Sequence, residues 1–338
     1  MEYKSKSGGI DLFKFAAALL VVAIHIDPLS SYSEYSNYIL CRVIARVAVP
    51  FFFIVSGYFF ALKLSDDKKN KEVLYAFIKK IGWLYLVASI MYLPLNIYKG
   101  DFTNPFTLLE GIKSIVFNGT FYHLWYLPAL ILGMSIVYGL KQKLSTRLVF
   151  IICIVLYIIG LFGDSYFGFT QEVPIVSGLY EGIFSVCDYT RNGIFFAPLF
   201  IAMGMSFTKL DKSNNKKDRM LLMVFGTLLL IEVLCLKRYE VQRHDSMTIF
   251  LVPTVYYLFK LCMEINCKER KSLRLISHWI YILHPMMIVV IRMLGKAFNI
   301  TYLIVDNSLM NYIGVVVLSL VGSVVMLFLS KKKKKLSN

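Results

Sequence analysis

The sequence predicts an all-α, polytopic membrane protein with about ten transmembrane helices and both termini in the cytoplasm. Three observations carry that expectation. Of the 338 residues, 57% are hydrophobic and 17% charged, whereas soluble domains run at about 45–50% apolar and about 25% charged. Apolar runs of the length a helix needs to cross a bilayer recur from one end of the chain to the other. The basic residues, finally, alternate in density from one connecting segment to the next.

Taken in order, the expected spans are residues 10–29, 39–62, 76–98, 121–140, 147–163, 193–208, 219–235, 247–263, 276–297 and 312–330. The N-terminus and segments 63–80, 141–147, 208–219, 260–274 and 331–338 together hold 26 Lys and Arg; the intervening connections 30–38, 99–120, 164–192, 236–246 and 298–311 hold 6. Lys14, Arg42, Arg46, Arg292 and Lys296 fall inside spans. The positive-inside rule assigns the rich set, and with it both termini, to the cytoplasm. Residues 1–330 then form one transmembrane domain, and 331–338, KKKKKLSN, a basic cytoplasmic tail or the start of a linker. The same distribution accounts for much of the net charge of +16. It argues against a nucleic-acid partner, because lysines spread over six segments orient the chain and attract anionic lipid.

Other signals are weaker. Cysteines 41, 153, 187, 235, 262 and 267 show no disulfide or zinc spacing, and no metal is expected. The first apolar run carries Lys14 and His25 and has no small-residue cleavage site, so a cleavable signal peptide is not expected. Within 164–192, PIVSGLYEGIFSV is apolar enough to be re-entrant or interfacial.

Ionisable groups at membrane depth cost roughly 2.5–3.5 kcal/mol each on insertion scales, so they call for a reason. Lys14 and His25 are eleven residues apart in the first span, almost three helical turns, and so share a face about 16 Å long. Lys14 either lines a path or snorkels to the headgroups. Asp11, three residues before it, is close enough for a local ion pair. His25 is either a general base or a hydrogen-bonded core histidine. Arg42 and Arg46 stand at i and i+4 and cannot shed their charge, so they need an anion or carbonyl partners, or reach headgroups. Pro50 removes the helical partner of the Arg46 carbonyl, which predicts a kink. His123, Trp125 and Tyr126 in FYHLWYLP open the fourth span, as a site or as part of an aromatic belt. Glu232 in the seventh span and His284, before Pro285, in the ninth read as lining residues or buried hydrogen-bond partners. Arg191 precedes the sixth span, with Asp188 as a candidate ion-pair partner. Neither a Ser-His-Asp arrangement nor a nucleotide-binding glycine loop can be picked out.

These residues carry a family resemblance. GIDLFKFAAALLVVAIH followed by RVIARVAVPFFFIVSGYFF resembles the opening of the membrane acyltransferase 3 family, and HLWYLPALILG, RNGIFFAPLFIAMG and YILHP resemble its later landmarks. The resemblance implies a bacterial plasma-membrane protein that takes an acyl group from cytoplasmic acyl-CoA (acetyl-CoA) and delivers it to an acceptor hydroxyl. By position it implies that His25 is the general base and that Lys14 occupies the family's basic position. It also places Arg42 and Arg46 at the arginine motif, although RVIAR departs from the usual RxxR and leaves their equivalence open. The candidate substrate-binding residues, read from the sequence itself, are His123, Trp125, Tyr126, Arg191, Glu232 and His284. Lys63, Lys68, Lys69, Lys71, Lys79 and Lys80 would meet the phosphates of CoA. Within the family, RVAVPFFFIVSGYFF resembles most the N-terminal membrane domain of VanT-type membrane-bound serine racemases of vancomycin-resistance operons. There a cytoplasmic pyridoxal-phosphate racemase domain follows. This chain is expected to hold no pyridoxal phosphate and not to racemise alone. Two roles follow: acyl transfer, or uptake and delivery of L-serine to a racemase without acyl transfer. An oligomer is compatible with either role.

Overall fold

The computed structural model describes residues 8–65, 69–100, 107–207 and 215–336, and every regular element among them is a helix. A helix lies on every expected span. Among the described residues six helices are long and apolar enough to cross a membrane: Gly8–Ile26, Glu34–Ala61, Asn70–Lys99, Asn215–Tyr239, Lys271–Ala297 and Ser308–Leu329. The others are shorter, Tyr126–Lys143, Thr146–Phe162, Ala197–Ser206 and Leu251–Glu264. The chain divides into two compact units. One comprises Met1–Phe51, Ser213–Leu230 and Pro253–Asn338; the other comprises Phe52–Lys212 and Ile231–Val252.

In the first unit, α1 (Gly8–Ile26) packs on α13 (Lys271–Ala297) and α15 (Ser308–Leu336), which pack on each other. Without lipid-driven hydrophobic association, close approach between such helices depends on small residues. Gly314 lies against Ile291 and Gly322 against Leu283, where an added Cβ would sit 3.0 and 3.2 Å from the nearest atom. At the start of α1, Gly8 and Gly9 press on the carbonyls of Cys267 and Cys262. Asp11 is fully buried, and its carboxylate accepts from Arg274 Nε at 2.8 Å, Arg274 Nη2 at 3.2 Å and the Arg270 amide at 3.0 Å. The expected local pairing with Lys14 is therefore replaced by one across helices. Burial selects it, because Arg274 offers two donors and Arg270 an otherwise unpaired amide at the head of α13. At the other end of α1, Ser31 meets Ser308 at 2.7 Å, and the Ser308 hydroxyl donates to the Pro28 carbonyl at 2.9 Å.

The expected second span is not one regular helix. Helix α2 (Glu34–Ile39), capped by Ser33, runs into a π-turn at Leu40–Ile44 and a 3₁₀ turn at Ala45–Val47 before α3 (Ala48–Ala61) begins. Pro50 lies in the first turn of α3, where its missing N–H is harmless. The predicted kink is a change of helix type spread over the eight residues 40–47.

In the second unit, α10 (Ala197–Ser206) is enclosed: Ala197 through Met205 are all buried. An apolar surface on every side marks a core helix, which is why the sixth expected span is only ten residues long. Glycines let its neighbours close in. A Cβ on Gly57 would strike the Ile201 carbonyl, and one on Gly204 the Ile54 carbonyl. Helix α4 (Asn70–Lys99) buries only Tyr85, Ala88, Tyr92 and Asn96, a single stripe. That stripe holds the segment leading to α6 (Tyr126–Lys143). Tyr85 Oη donates to the Ile115 carbonyl at 3.1 Å, Ser89 meets Thr120 at 2.6 Å, and Asn96 Nδ2 donates to the Thr120 carbonyl at 2.7 Å. Gly119, at φ +82, is required where this segment doubles back on the Trp125 amide. The fourth helix accordingly starts at Tyr126 rather than 121. The apolar stretch within 164–192 forms α9 (Pro174–Val186), with Ile175, Leu179 and Val186 exposed.

Candidate functional site

Four candidate residues and His284 gather in the first unit. Lys14 and His25, both half-buried, ride on the unbroken helix α1, so the shared face expected from their spacing holds. His25 is the penultimate residue of α1. Two residues on, Asp27 turns the chain in the left-handed region at φ 56, ahead of Pro28. A non-glycine residue is uncommon there, and Asp is among the few that tolerate it. The Asp27 carboxylate accepts from Asn37 Nδ2 at 2.9 Å, and Asn37 Oδ1 accepts from the Leu29 amide at 3.1 Å. The Cys41 thiol donates to the Ala23 carbonyl at 3.4 Å. This knot fastens the α1 end to the helix break that carries the arginines.

Arg42 lies in the π-turn and Arg46 in the 3₁₀ turn, both half-buried, and both act electrostatically on Cys41, as Asp27 does. The stretch between them is not α-helical: a wider turn is followed by a tighter one, so the regular α repeat behind the i and i+4 argument is replaced by two departures of opposite sense. Single π-turns inside helices recur at functional sites. Asp27 and Asn37 are the residues that sequence reading missed. The signal available was the IHIDP ending, where an acidic residue follows the histidine by two and precedes a proline.

His284 is fully buried on α13, and its ring stacks on that of His25 with centroids 5.2 Å apart and planes at 25°. His284 Nδ1 lies 2.9 Å from the Tyr281 carbonyl and 3.1 Å from that of Ile280. Two carbonyl oxygens facing one ring nitrogen fix the tautomer: Nδ1 carries the proton, and Nε2 the lone pair.

The remaining candidates belong to the second unit. His123 is buried in a ring of aromatics, with centroids 4.9 Å to Tyr92, 5.6 Å to Phe121 and 5.6 Å to Tyr122. Tyr126 packs on Phe53 with ring centroids 4.8 Å apart and planes at 44°, its hydroxyl 3.4 Å from that of Ser56. Trp125 and Tyr189 flank the Arg191 guanidinium at 5.4 and 4.5 Å, and Arg191 donates to Ser246 at 3.3 Å. Asp188 for its part accepts from Asn118 Nδ2 at 2.6 Å. The Glu232 carboxylate accepts from Tyr166 Oη at 2.6 Å and from the amides of Ile249 and Phe250 at 2.6 and 2.9 Å. Of the two readings open for Glu232, the geometry gives the buried hydrogen-bond partner, bracing the start of α12 (Leu251–Glu264). Lys63, Lys69, Lys71, Lys79 and Lys80 are exposed, and Lys68 lies outside the described residues.

Comparison with known proteins now bears on this arrangement. The acyltransferase 3 model, described as an acyltransferase domain, matches residues 7–328. The chain belongs to the acyltransferase 3 family. Similar members include an amino-acid racemase of Enterococcus faecalis, 43% identical over 330 residues, which are 97% of this chain and 46% of that protein. A second amino-acid racemase of E. faecalis is 36% identical over 97% of this chain and 47% of its own length. A serine/alanine racemase of Enterococcus gallinarum is 37% identical over 97% of this chain and 46% of its own length. This acyltransferase 3 chain therefore spans about half the length of the curated relatives it matches. No solved structure matches it.

Proposed function

We propose that this chain is the membrane domain of a VanT-type membrane-bound serine racemase and that it transfers an acyl group from acyl-CoA with His25 as general base. The observation that carries the reading is the family match across residues 7–328, taken with a histidine at the end of α1 and two arginines in a helix break fastened to it. In this reading ten helices span a bacterial plasma membrane and both termini lie in the cytoplasm, as the lysine distribution favours. Lys63, Lys68, Lys69, Lys71, Lys79 and Lys80 meet the CoA phosphates. An acceptor hydroxyl gives its proton to His25 as its oxygen attacks the thioester carbonyl carbon. Arg42 or Arg46 steadies the oxyanion. As the carbon–sulfur bond breaks, the CoA sulfur takes the proton from His25. His123, Trp125 and Tyr126 would border the acceptor's path, and Arg191 and Glu232 support it through the contacts described above.

The racemase names of the relatives favour a second reading, in which the domain delivers L-serine to a following racemase domain and Arg42 and Arg46 attract its carboxylate. One experiment separates the two. Purified protein in proteoliposomes is given acetyl-CoA or radiolabelled L-serine, for wild type, His25→Ala, Arg42→Ala and Arg46→Ala. Acyl transfer requires acetyl-CoA binding and free-thiol release that falls away in His25→Ala; their absence in wild type overturns it. Serine uptake that both arginine variants leave unchanged would remove the delivery mechanism.

A further inference from the structure

Helix α13 carries a defect made by sequence. Pro285 has no N–H, so the Tyr281 carbonyl, four residues earlier, loses its helical donor. The adjacent His284 fills that place, with Nδ1 at 2.9 Å from the Tyr281 oxygen. We propose that His284 is a positioning residue for His25: its ring, locked in one tautomer by the carbonyl that Pro285 frees, is the flat surface that sets the plane of the His25 ring. The inference rests on the reading of His25 as the working base.

Three observations carry it. The His284 ring is fully buried and tied at Nδ1 to two carbonyls, so turning it over would strand a buried acceptor. His25 lies in the last turn of α1, beside the fastened Asp27–Asn37 link, so its ring stands on a fixed helix end against α13. The contact between the rings is face to face, with planes at 25°. A stacked neighbour orients an imidazole through its π-face and itself engages neither ring nitrogen, since both lie in the plane. A hydrogen-bonded orienter would consume one of them. The helix defect is thereby converted into a fixed support for a reactive ring on the neighbouring helix.

The test separates ring from nitrogen. His284→Asn keeps a donor near Nδ1 but removes the ring. His284→Phe combined with Pro285→Ala keeps a ring and restores a helical donor to the Tyr281 carbonyl, which guards against misfolding. Each is compared with wild type and His284→Ala, as the full chain in nanodiscs, by two measurements: thiol release from acetyl-CoA, and the rate at which diethyl pyrocarbonate modifies His25, mapped by mass spectrometry. The expectation is that Ala and Asn lower kcat about 10- to 100-fold with little change in KM and speed His25 modification, while the Phe/Ala pair returns both to within about threefold of wild type. Retention of rate by Asn with loss in the Phe/Ala pair would overturn the proposal in favour of a role for the side-chain hydrogen bond to the Tyr281 carbonyl rather than for the ring. If wild type releases no thiol, the acyl-transfer reading fails while the modification rates still decide this one. Equal modification in every variant overturns it.

Discussion

Two aspartates, each just past the end of an apolar helix, show how differently the two units use polar groups. Asp164 follows α7 (Thr146–Phe162) and is fully buried. Its Oδ1 accepts from the amides of Ser246 and Met247 at 2.7 and 2.9 Å and from the Ser165 hydroxyl at 2.9 Å, while its carbonyl accepts from the Arg243 amide at 3.0 Å. Asp27 follows α1, is half-buried, and is held in the left-handed region beside an asparagine, two residues from His25. The first is a knot whose contacts all serve shape. The second sits at the end of the helix that carries His25, and through Asn37 it is tied to the helix break that carries Arg42 and Arg46. What tells them apart is the donor set: backbone amides of one loop converge on Asp164, whereas Asp27 takes the side-chain amide of Asn37 from the next helix.

The contrast can be tested by substitutions of decreasing effect. His25→Ala is expected to lower thiol release about 10²- to 10⁴-fold, the usual contribution of a positioned base, without altering the melting temperature. Gly204→Ala, in the second unit, should do the reverse. Its methyl collides with the Ile54 carbonyl, costing about 1–3 kcal/mol in thermal or denaturant unfolding. Asp164→Ala should cost about 1–3 kcal/mol, since two buried amides lose their acceptor. Asp164→Asn keeps an oxygen at the Oδ1 position and should stay within about 0.5 kcal/mol of wild type at neutral pH.

The pH dependence sharpens that last pair. Burial pushes the Asp164 carboxyl above the usual carboxylate range, against the pull of the Ser246 amide, the Arg191 guanidinium and the Met247 amide. A raised carboxyl pKa means that the folded state holds the proton more tightly than the unfolded chain. Stability is therefore full below the ordinary carboxylate range and falls as pH rises through the raised value. Unfolding measured across that window should show the fall in wild type and its loss in Asp164→Asn. Smallest of all, Lys99→Met removes a cation 4.6 Å above the Phe121 ring, and about 0.5–1 kcal/mol is expected from melting of the variant.

Much of the architecture was legible because hydrophobic length is a one-dimensional signal. Each expected span met a helix, and the Lys14–His25 face survived because α1 is regular. The helix type at the arginines was not legible: a π-turn and a 3₁₀ turn in succession leave no mark in the apolar pattern, and Pro50, four residues downstream of Arg46, signalled only that the regular helix is interrupted nearby. Asp11 shows a second limit. Its nearest sequence neighbour of opposite charge was Lys14, yet a buried carboxylate selects the partner with the most donors, and Arg274 is 263 residues away. The His25–His284 stack was unreadable for the same reason, although Pro285 next to His284 was a visible sign that a carbonyl nearby needed a donor.

The enclosed helix α10 has a consequence for biogenesis. Its ten residues span about 15 Å, half of a hydrocarbon core about 30 Å thick. A segment that short is not retained by lipid on its own and enters the membrane in company with helices already made. Gly57, on the earlier-synthesised helix, provides the groove it settles into, so a bulky residue there would be felt first by the insertion machinery, as a nascent chain released into the wrong compartment, before any folded protein existed to be unstable.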